Sequence, residues 1–175
     1  MSARVATLLA RLSERQHLAL ALASAALILT SPWIAMARRI PHGAGALDYG
    51  HVGVGFATLL LGMTYGLSCT KNGRWRSYFP WAAGDFGAVG RDLVGLLRAR
   101  LPAAEGGGLF AALEGLLLVV LLATAATGAA WFFAQGSSAA LDWRHYHSLL
   151  ARGLAALIIL HVVSVSLHVV DFIRD

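Results

Sequence analysis

The chain has 175 residues, of which 58% are hydrophobic and only 13% are charged. A soluble domain carries roughly 25% charged residues, so the composition excludes an ordinary soluble protein and predicts an all-α integral membrane protein of one domain. The net charge of +5 comes mainly from basic residues in the connections, where they orient membrane spans. We therefore expect membrane lipid, and no nucleic acid, as a partner. The single cysteine, Cys69, excludes an internal disulfide and is expected to pack.

The first 37 residues contain a basic segment and then an apolar run. Residues 3–15 place apolar side chains on one helical stripe with arginines around the rest, which predicts an interfacial helix. Residues 17–37 form the first predicted membrane span. A basic start, an apolar run and Ala35-Met36-Ala37 are also the pattern of a cleaved signal peptide. Because the apolar run is long for a signal peptide, we predict a retained span.

Three further apolar segments predict membrane spans at residues 48–70, 108–133 and 143–171. The connection before the third span carries apolar residues at helical spacing over 84–101, which predicts a second interfacial helix. Ten basic residues lie in the N-terminal segment, this connection and the C-terminus, against three on the opposite side. The excess predicts cytoplasmic termini. The expected fold is a multi-pass four-helix bundle in a membrane.

The fourth predicted span, WRHYHSLLARGLAALIILHVVSVSLH, contains four histidines. Ionisable side chains are costly in a membrane and mark functional sites by default. His147 and His161 are 14 residues apart, so a helix separates them by about 21 Å but rotates them by only about 40°. His51 matches the depth of His147 near the outer face, and His17 matches that of His161 near the inner face. The sequence therefore predicts one pair of histidines near each membrane face.

Paired imidazoles on facing helices restrict the kind of metal site. Imidazole binds zinc, copper and iron, but a zinc site takes about four protein ligands or keeps a water position. Two imidazoles suit a haem iron with both axial positions filled, so electron transfer is the expected chemistry and no catalytic residue is predicted. Small residues about one turn from each imidazole would leave space for a macrocycle, although they also serve helix packing: Ala21, Gly55, Ala151 and Ser164.

The chain resembles the four-helix dihaem cytochrome b group, which includes bacterial cytochrome b561, cytochrome b subunits of nickel–iron hydrogenases and gamma subunits of formate dehydrogenases. The segments that carry the resemblance are ERQHLALALASAALILT, DYGHVGVGF, GGLFAALEGLLLVVLLATAATGAAW and HYHSLLARGLAALIILHVVSVSLH. It implies two haem b groups, the inner one held by His17 and His161 and the outer one by His51 and His147. The chain departs from the family where Gly106-Gly107-Gly108-Leu109 replaces polar residues at the start of the third span. The first span also lacks the usual aromatic residue after its histidine.

The resemblance also implies a function. Electrons would pass between a periplasmic dehydrogenase, reductase, cytochrome or iron–sulfur subunit and the quinone pool, with Leu154 midway between the haems. Glu114, Asn72 and Tyr78 are polar candidates near an inner quinone site. A stand-alone cytochrome b561 that oxidises quinol or reacts with superoxide, and a haem-free membrane anchor, are the alternatives.

The remaining histidines have other predicted positions. His145 lies about 200° around the helix from His147 and is expected to face a neighbouring helix or the headgroups. His168 shares the face of His161 about 10 Å further in, and is an alternative ligand. His42 lies in the outer connection and is expected to be solvated.

Four arginines near or within the spans have alternative roles. Arg38, Arg39 and Arg144 are either ordinary interfacial residues or partners of the outer haem propionates, since arginine binds carboxylates bidentately. Arg152 is expected to point away from the histidine face and to pair with Glu114, another helix or a phosphate.

Overall fold

A computed structural model describes residues 3–71, 74–98, 100, 102 and 107–174, and within them the side chains of residues 15–167. The described chain is all-helical, which confirms the predicted fold class. Its helices, in chain order, are α1 (Ala3–Thr30), α2 (Ala46–Thr70), α3 (Trp75–Tyr78), α4 (Pro80–Ala83), α5 (Gly87–Leu97), α6 (Leu109–Phe133) and α7 (Ala139–Arg174). A short 3-10 turn, Ser31–Trp33, follows α1.

Among the described residues, three helices are long and apolar enough to cross a membrane: α2, α6 and the Ala139–Leu167 part of α7. They coincide with the segments predicted at 48–70, 108–133 and 143–171. Each exceeds the ~20 residues that a membrane-spanning helix needs. The hydrophobic runs therefore form helices of membrane-spanning length where the sequence predicts them.

The first predicted span differs from the structure at both ends. Helix α1 is continuous from Ala3 to Thr30, so the segment predicted as a separate interfacial helix is joined to it. No glycine or proline interrupts this stretch of sequence. The helix ends just before Pro32, the second residue of the 3-10 turn, because proline has no N–H with which to continue an α-helix. Ile34, which follows the turn, is extended.

The described chain forms two compact units. Unit 1 comprises Met1–Ser68 and Leu121–Arg152, and unit 2 comprises Cys69–Val120 and Gly153–Asp175. Both units draw on α2, α6 and α7, so these helices belong partly to each.

The core of unit 1 lies where the connection after α1 meets α6 and α7. Met36, Trp131 and Ala140 are buried together, and Ile34, Ile40, Val52, Phe132 and Ala134 pack against them. The indole Nε1 of Trp131 donates a hydrogen bond to the carbonyl of Ala37 at 2.9 Å. The Gln135 side-chain oxygen accepts one from the Ile40 N–H at 2.9 Å. Side chains at the end of α6 thus hold the irregular connection in place.

Asp48 anchors the same connection to the start of α2. Its side chain is only 6% exposed, and its two oxygens accept hydrogen bonds from the backbone N–H groups of Ala35 and Gly45, each at 3.1 Å. Backbone N–H groups that lack water must find a partner within the protein. The carboxylate supplies two such partners and also lies near the N-terminus of a helix, where negative charge is favourable.

In unit 2 the short helices are held against the start of α6. A Cβ on Gly115 would overlap the backbone carbonyl of Tyr78, so only glycine permits this close approach. The Asp92 side chain on α5 accepts a hydrogen bond from the Leu109 N–H at 2.8 Å, which satisfies an otherwise unpaired donor at the N-terminus of α6. Gly108, with φ +89°, lies directly against that carboxylate.

Candidate metal centre

Unit 1 contains three of the four histidines predicted as ligands, and two of them lie side by side. His51 is on the second turn of α2 and His147 on the third turn of α7. Their ring centroids are 6.2 Å apart and the ring planes are inclined by 86°. Both side chains are half-buried. The two helices therefore present a pair of imidazoles, one from each helix.

The His147 ring is oriented by the backbone of α6. Its Nδ1 lies 2.8 Å from the carbonyl oxygen of Thr124. Because a carbonyl only accepts hydrogen bonds, Nδ1 carries the proton, and in a neutral imidazole Nε2 then has its lone pair available. Histidines that bind metals generally donate their other N–H in this way, which fixes the tautomer and the ring orientation.

A glycine on α6 makes room for the same ring. A Cβ on Gly128 would lie 3.1 Å from Cε1 and Nδ1 of His147, closer than ordinary van der Waals contact. The His147 imidazole therefore rests directly on the backbone of α6, one turn beyond the carbonyl that binds it.

His51 has a different environment from His147. Its Nδ1 is buried and has no hydrogen-bond partner among the described residues, an arrangement that is costly for a protein unless another group completes it. A Cβ built on Gly50, Gly53 or Gly55 would meet nothing within 4 Å. There is thus open space along the part of α2 that carries His51.

The pair has the dimensions of a two-imidazole metal site. With metal–nitrogen bonds of about 2.0–2.1 Å and about 1.1 Å from a ring nitrogen to the ring centre, two imidazoles across one ion have centroids about 6.3 Å apart. The observed separation is 6.2 Å. The separation and the fixed tautomer of His147 fit a metal such as iron held between the two imidazoles.

The other two predicted ligands fall in different units. His17, on α1, belongs to unit 1, and its ring centroid lies 6.0 Å from that of Tyr65 on α2. Next to it, the Gln16 side-chain amide donates to the Thr64 hydroxyl at 3.2 Å. His161 is half-buried on α7 and belongs to unit 2. Pairing of His17 with His161 stays a prediction.

Most of the other residues identified in the sequence are exposed or donate hydrogen bonds to backbone carbonyls. His42 and His145 are exposed, whereas Cys69 is buried. Nε of Arg144 donates to the Met36 carbonyl at 2.7 Å, and Nε of Arg152 donates to the Ser148 carbonyl on its own helix at 3.2 Å. The His168 side chain and Asn72 lie outside the described residues.

Sequence reasoning missed the two α6 residues that position His147, Thr124 and Gly128. The signal available was the segment TAATG, residues 124–128, which interrupts an otherwise aliphatic span with two hydroxyl residues and a glycine. Asp48 was missed as an anchor as well, although it is an acidic residue at the start of an apolar run.

Comparison with family models decides the class of protein. The model described as prokaryotic cytochrome b561 matches residues 10–171. The chain belongs to the prokaryotic cytochrome b561 family. Family membership and the apolar helices together indicate a membrane protein that transfers electrons through haem b. The match also confirms the family resemblance seen in the sequence. Comparison with curated proteins and with solved structures gives no significant match.

Proposed function

We propose that this cytochrome b561 transfers electrons across the bacterial inner membrane through two b haems, each bound by two histidines. It would be the membrane subunit of a respiratory oxidoreductase and connect a periplasmic redox partner to the quinone pool. The observation that carries the proposal is the pair of imidazoles of His51 and His147, 6.2 Å apart on α2 and α7.

In the outer site, His51 and His147 would hold the haem iron. The Thr124 carbonyl holds the His147 ring through Nδ1, which leaves Nε2 for iron and raises the basicity of the ligand. When bound, the two haems supply a reversible one-electron relay. With two imidazoles holding each iron, the protein would carry electrons and would not bind a substrate on the metal.

In the inner site, His17 and His161 are the proposed ligands. The support is the spacing of 14 residues between His147 and His161 on one continuous helix, α7, together with the position of His17 at the opposite end of the first span from Trp33. A helix places the two α7 imidazoles about 21 Å apart and on nearly the same face.

Quinone is the proposed exchangeable substrate, bound near the cytoplasmic side by residues of unit 2. Burial, and then the proximity of Cys69 and Glu114, raise the pKa of Tyr78 above its usual range. The phenol is therefore protonated at neutral pH and can donate a hydrogen bond to a quinone carbonyl. Reducing a quinone takes two electrons and two protons, and a site on this side would draw the protons from the cytoplasm.

The path of electron transfer is tested with the full chain in proteoliposomes. A short-chain quinol is added as the electron donor, ferricyanide, which does not cross membranes, is the external acceptor, and the b-type absorbance is recorded. We expect His51→Ala to retain part of the quinol-dependent b-type reduction but to lose ferricyanide reduction. His145→Ala, which changes an exposed histidine on α7, should behave as wild type.

Three results would contradict parts of the proposal. Ferricyanide reduction that survives His51→Ala would remove the outer site from the path. Oxidation of superoxide to oxygen coupled to reduction of quinone, in the absence of any partner subunit, would favour the stand-alone cytochrome. A purified chain with no b-type absorbance would leave a membrane anchor.

A further inference from the structure

The polar side of α5 carries a concave basic pocket. A cavity of about 540 Å³ is lined by Arg91, Arg98 and Arg100 together with Asp92, Gly95 and Pro102. Arg91 and Arg98 are seven residues apart, so a helix brings them to within about 20° of one face. Three arginines against one aspartate give the pocket a net positive charge.

Both carboxylates near these arginines already bind backbone N–H groups. Asp92 accepts a hydrogen bond from the Leu109 N–H at 2.8 Å. Asp85, which lies beside Gly87 together with the Arg91 guanidinium, accepts one from the Gly87 N–H at 3.2 Å. The acidic groups are thus engaged in holding the ends of α5 and α6, and the arginines dominate the charge of the pocket.

The opposite side of α5 is apolar and exposed. Leu93, Leu96 and Leu97 are 49%, 43% and 89% exposed. A helix with exposed leucines on one side and arginines on the other lies in a membrane interface, with its leucines in the acyl region and its arginines at the level of the headgroups. In that orientation the basic pocket is at the depth of lipid phosphates.

We propose that this pocket binds the phosphodiester headgroup of an anionic phospholipid from the cytoplasmic leaflet. The guanidinium groups of Arg91 and Arg98 would contact the phosphate oxygens, since arginine matches that geometry bidentately. Gly95 lines the pocket beside Arg100, whose carbonyl oxygen a Cβ at Gly95 would meet at 3.7 Å. The lipid would fix α5 to the membrane and, through the bond from Asp92 to Leu109, the start of α6.

The test is native mass spectrometry of the delipidated full-length protein titrated with phosphatidylglycerol or phosphatidylcholine. We expect phosphatidylglycerol to bind preferentially. Each basic residue near an anionic lipid contributes roughly a factor of five to affinity, so Arg91→Gln/Arg98→Gln should weaken binding about 25-fold. Arg91→Lys/Arg98→Lys keeps the charge but loses the bidentate geometry, so its loss of binding should be smaller than that of the glutamine variant.

The matched control is Lys71→Gln/Arg76→Gln, which removes two exposed basic residues of unit 2 that do not line the pocket. Equal loss of phosphatidylglycerol in this control would overturn a specific site, as would equal binding of phosphatidylcholine by the wild type. Displacement of the lipid by inorganic phosphate at matched concentration would overturn a lipid as the occupant. The readout does not depend on haem, so it stands apart from the proposed electron-transfer function.

Discussion

At the scale of single residues, the ligand geometry of the outer site depends on the backbone of α6. The Thr124 carbonyl fixes the tautomer of His147, and Gly128 leaves space for its ring. An imidazole whose Nδ1 is hydrogen-bonded to one helix and whose Nδ1–Cε1 edge rests on the backbone of that helix has little freedom to rotate. Such support is what keeps a metal ligand in its productive orientation.

Gly128→Ala should therefore weaken haem binding at the outer site. The added Cβ would lie 3.1 Å from the His147 ring and displace it by a few tenths of an ångström. Changes to groups that support a ligand cost roughly 10–100-fold in metal affinity, so we expect about a tenfold loss in a haem titration of the stripped protein. Gly90→Ala, on α5, where a Cβ meets nothing within 4 Å, is the matched control. Unchanged haem affinity in Gly128→Ala would show that His147 does not rest on this surface when haem is bound.

Asp48→Ala should destabilise unit 1. The change leaves the N–H groups of Ala35 and Gly45 without their acceptor, and a buried unpaired polar group costs about 1–3 kcal/mol. We expect the free energy of unfolding to fall by about 2 kcal/mol or more, measured by circular dichroism during detergent denaturation. Asp142→Ala, which removes an exposed carboxylate from the first turn of α7, should change it by less than about 0.5 kcal/mol. Similar values for the two variants would mean that Asp48 does not anchor the connection.

At the scale of helices, the length of the apolar runs was sufficient to predict α2, α6 and α7 to within a few residues. The segments predicted at 48–70, 108–133 and 143–171 correspond to helices Ala46–Thr70, Leu109–Phe133 and Ala139–Arg174. Helix ends were predicted less well. Helix α7 begins at Ala139 and not at the predicted residue 143. Ala139 and Ala140 extend the helix but are not strongly hydrophobic, so the apolar run did not include them. Ala140 is fully buried in the core of unit 1, a contact that depends on the tertiary fold.

Only part of the candidate site could be predicted from the sequence. Depth and helical phase were enough to pair His51 with His147, because both quantities follow from counting residues along helices. The support from Thr124 and Gly128 was not predictable, since it depends on which face of α6 turns toward α7. The sequence of α6 is apolar all round, so it carries no amphipathic signal that would identify that face.

The connection between α2 and α6 contributes a group that can be tested by titration. Burial and the nearby Cys69 and Glu114 raise the pKa of Tyr78 above 10.0. In the unfolded chain a tyrosine ionises near pH 10, so the folded form retains the phenol proton at higher pH than the unfolded form. The stabilisation is therefore complete below about pH 10 and is lost as pH rises through the folded pKa.

Tyrosinate absorbance near 295 nm should reveal this shift. The difference between wild type and Tyr78→Phe should titrate above pH 10, the pH near which an unperturbed tyrosine ionises. Tyr78→Phe should also remove the dependence of stability on pH that this phenol contributes. Titration of Tyr78 at or below about pH 10 would contradict its burial beside acidic groups.

At the scale of the whole molecule, the exposed surface is that of a membrane protein. Large aliphatic side chains are more than half exposed on three long helices, among them Leu29 at 70%, Leu60 at 66% and Ile159 at 65%. A soluble protein rarely exposes extended apolar surface. Together with the family match over residues 10–171, this surface is the physical basis for placing the chain in a bilayer. The four-helix arrangement, which follows from the four apolar segments, and the cytoplasmic termini, which follow from the distribution of basic residues, stay predictions.

The central claim is that one chain binds two b haems through two separate pairs of histidines. It is tested most directly by pyridine haemochrome quantitation with reduced-minus-oxidised spectra on the purified full-length protein, His51→Ala, His161→Ala and the exposed control His145→Ala. We predict two haems per chain in the wild type and in His145→Ala, and one in each of the other variants, with different spectra because a different haem remains. A single haem in the wild type, or loss of the same haem in both His51→Ala and His161→Ala, would contradict the account.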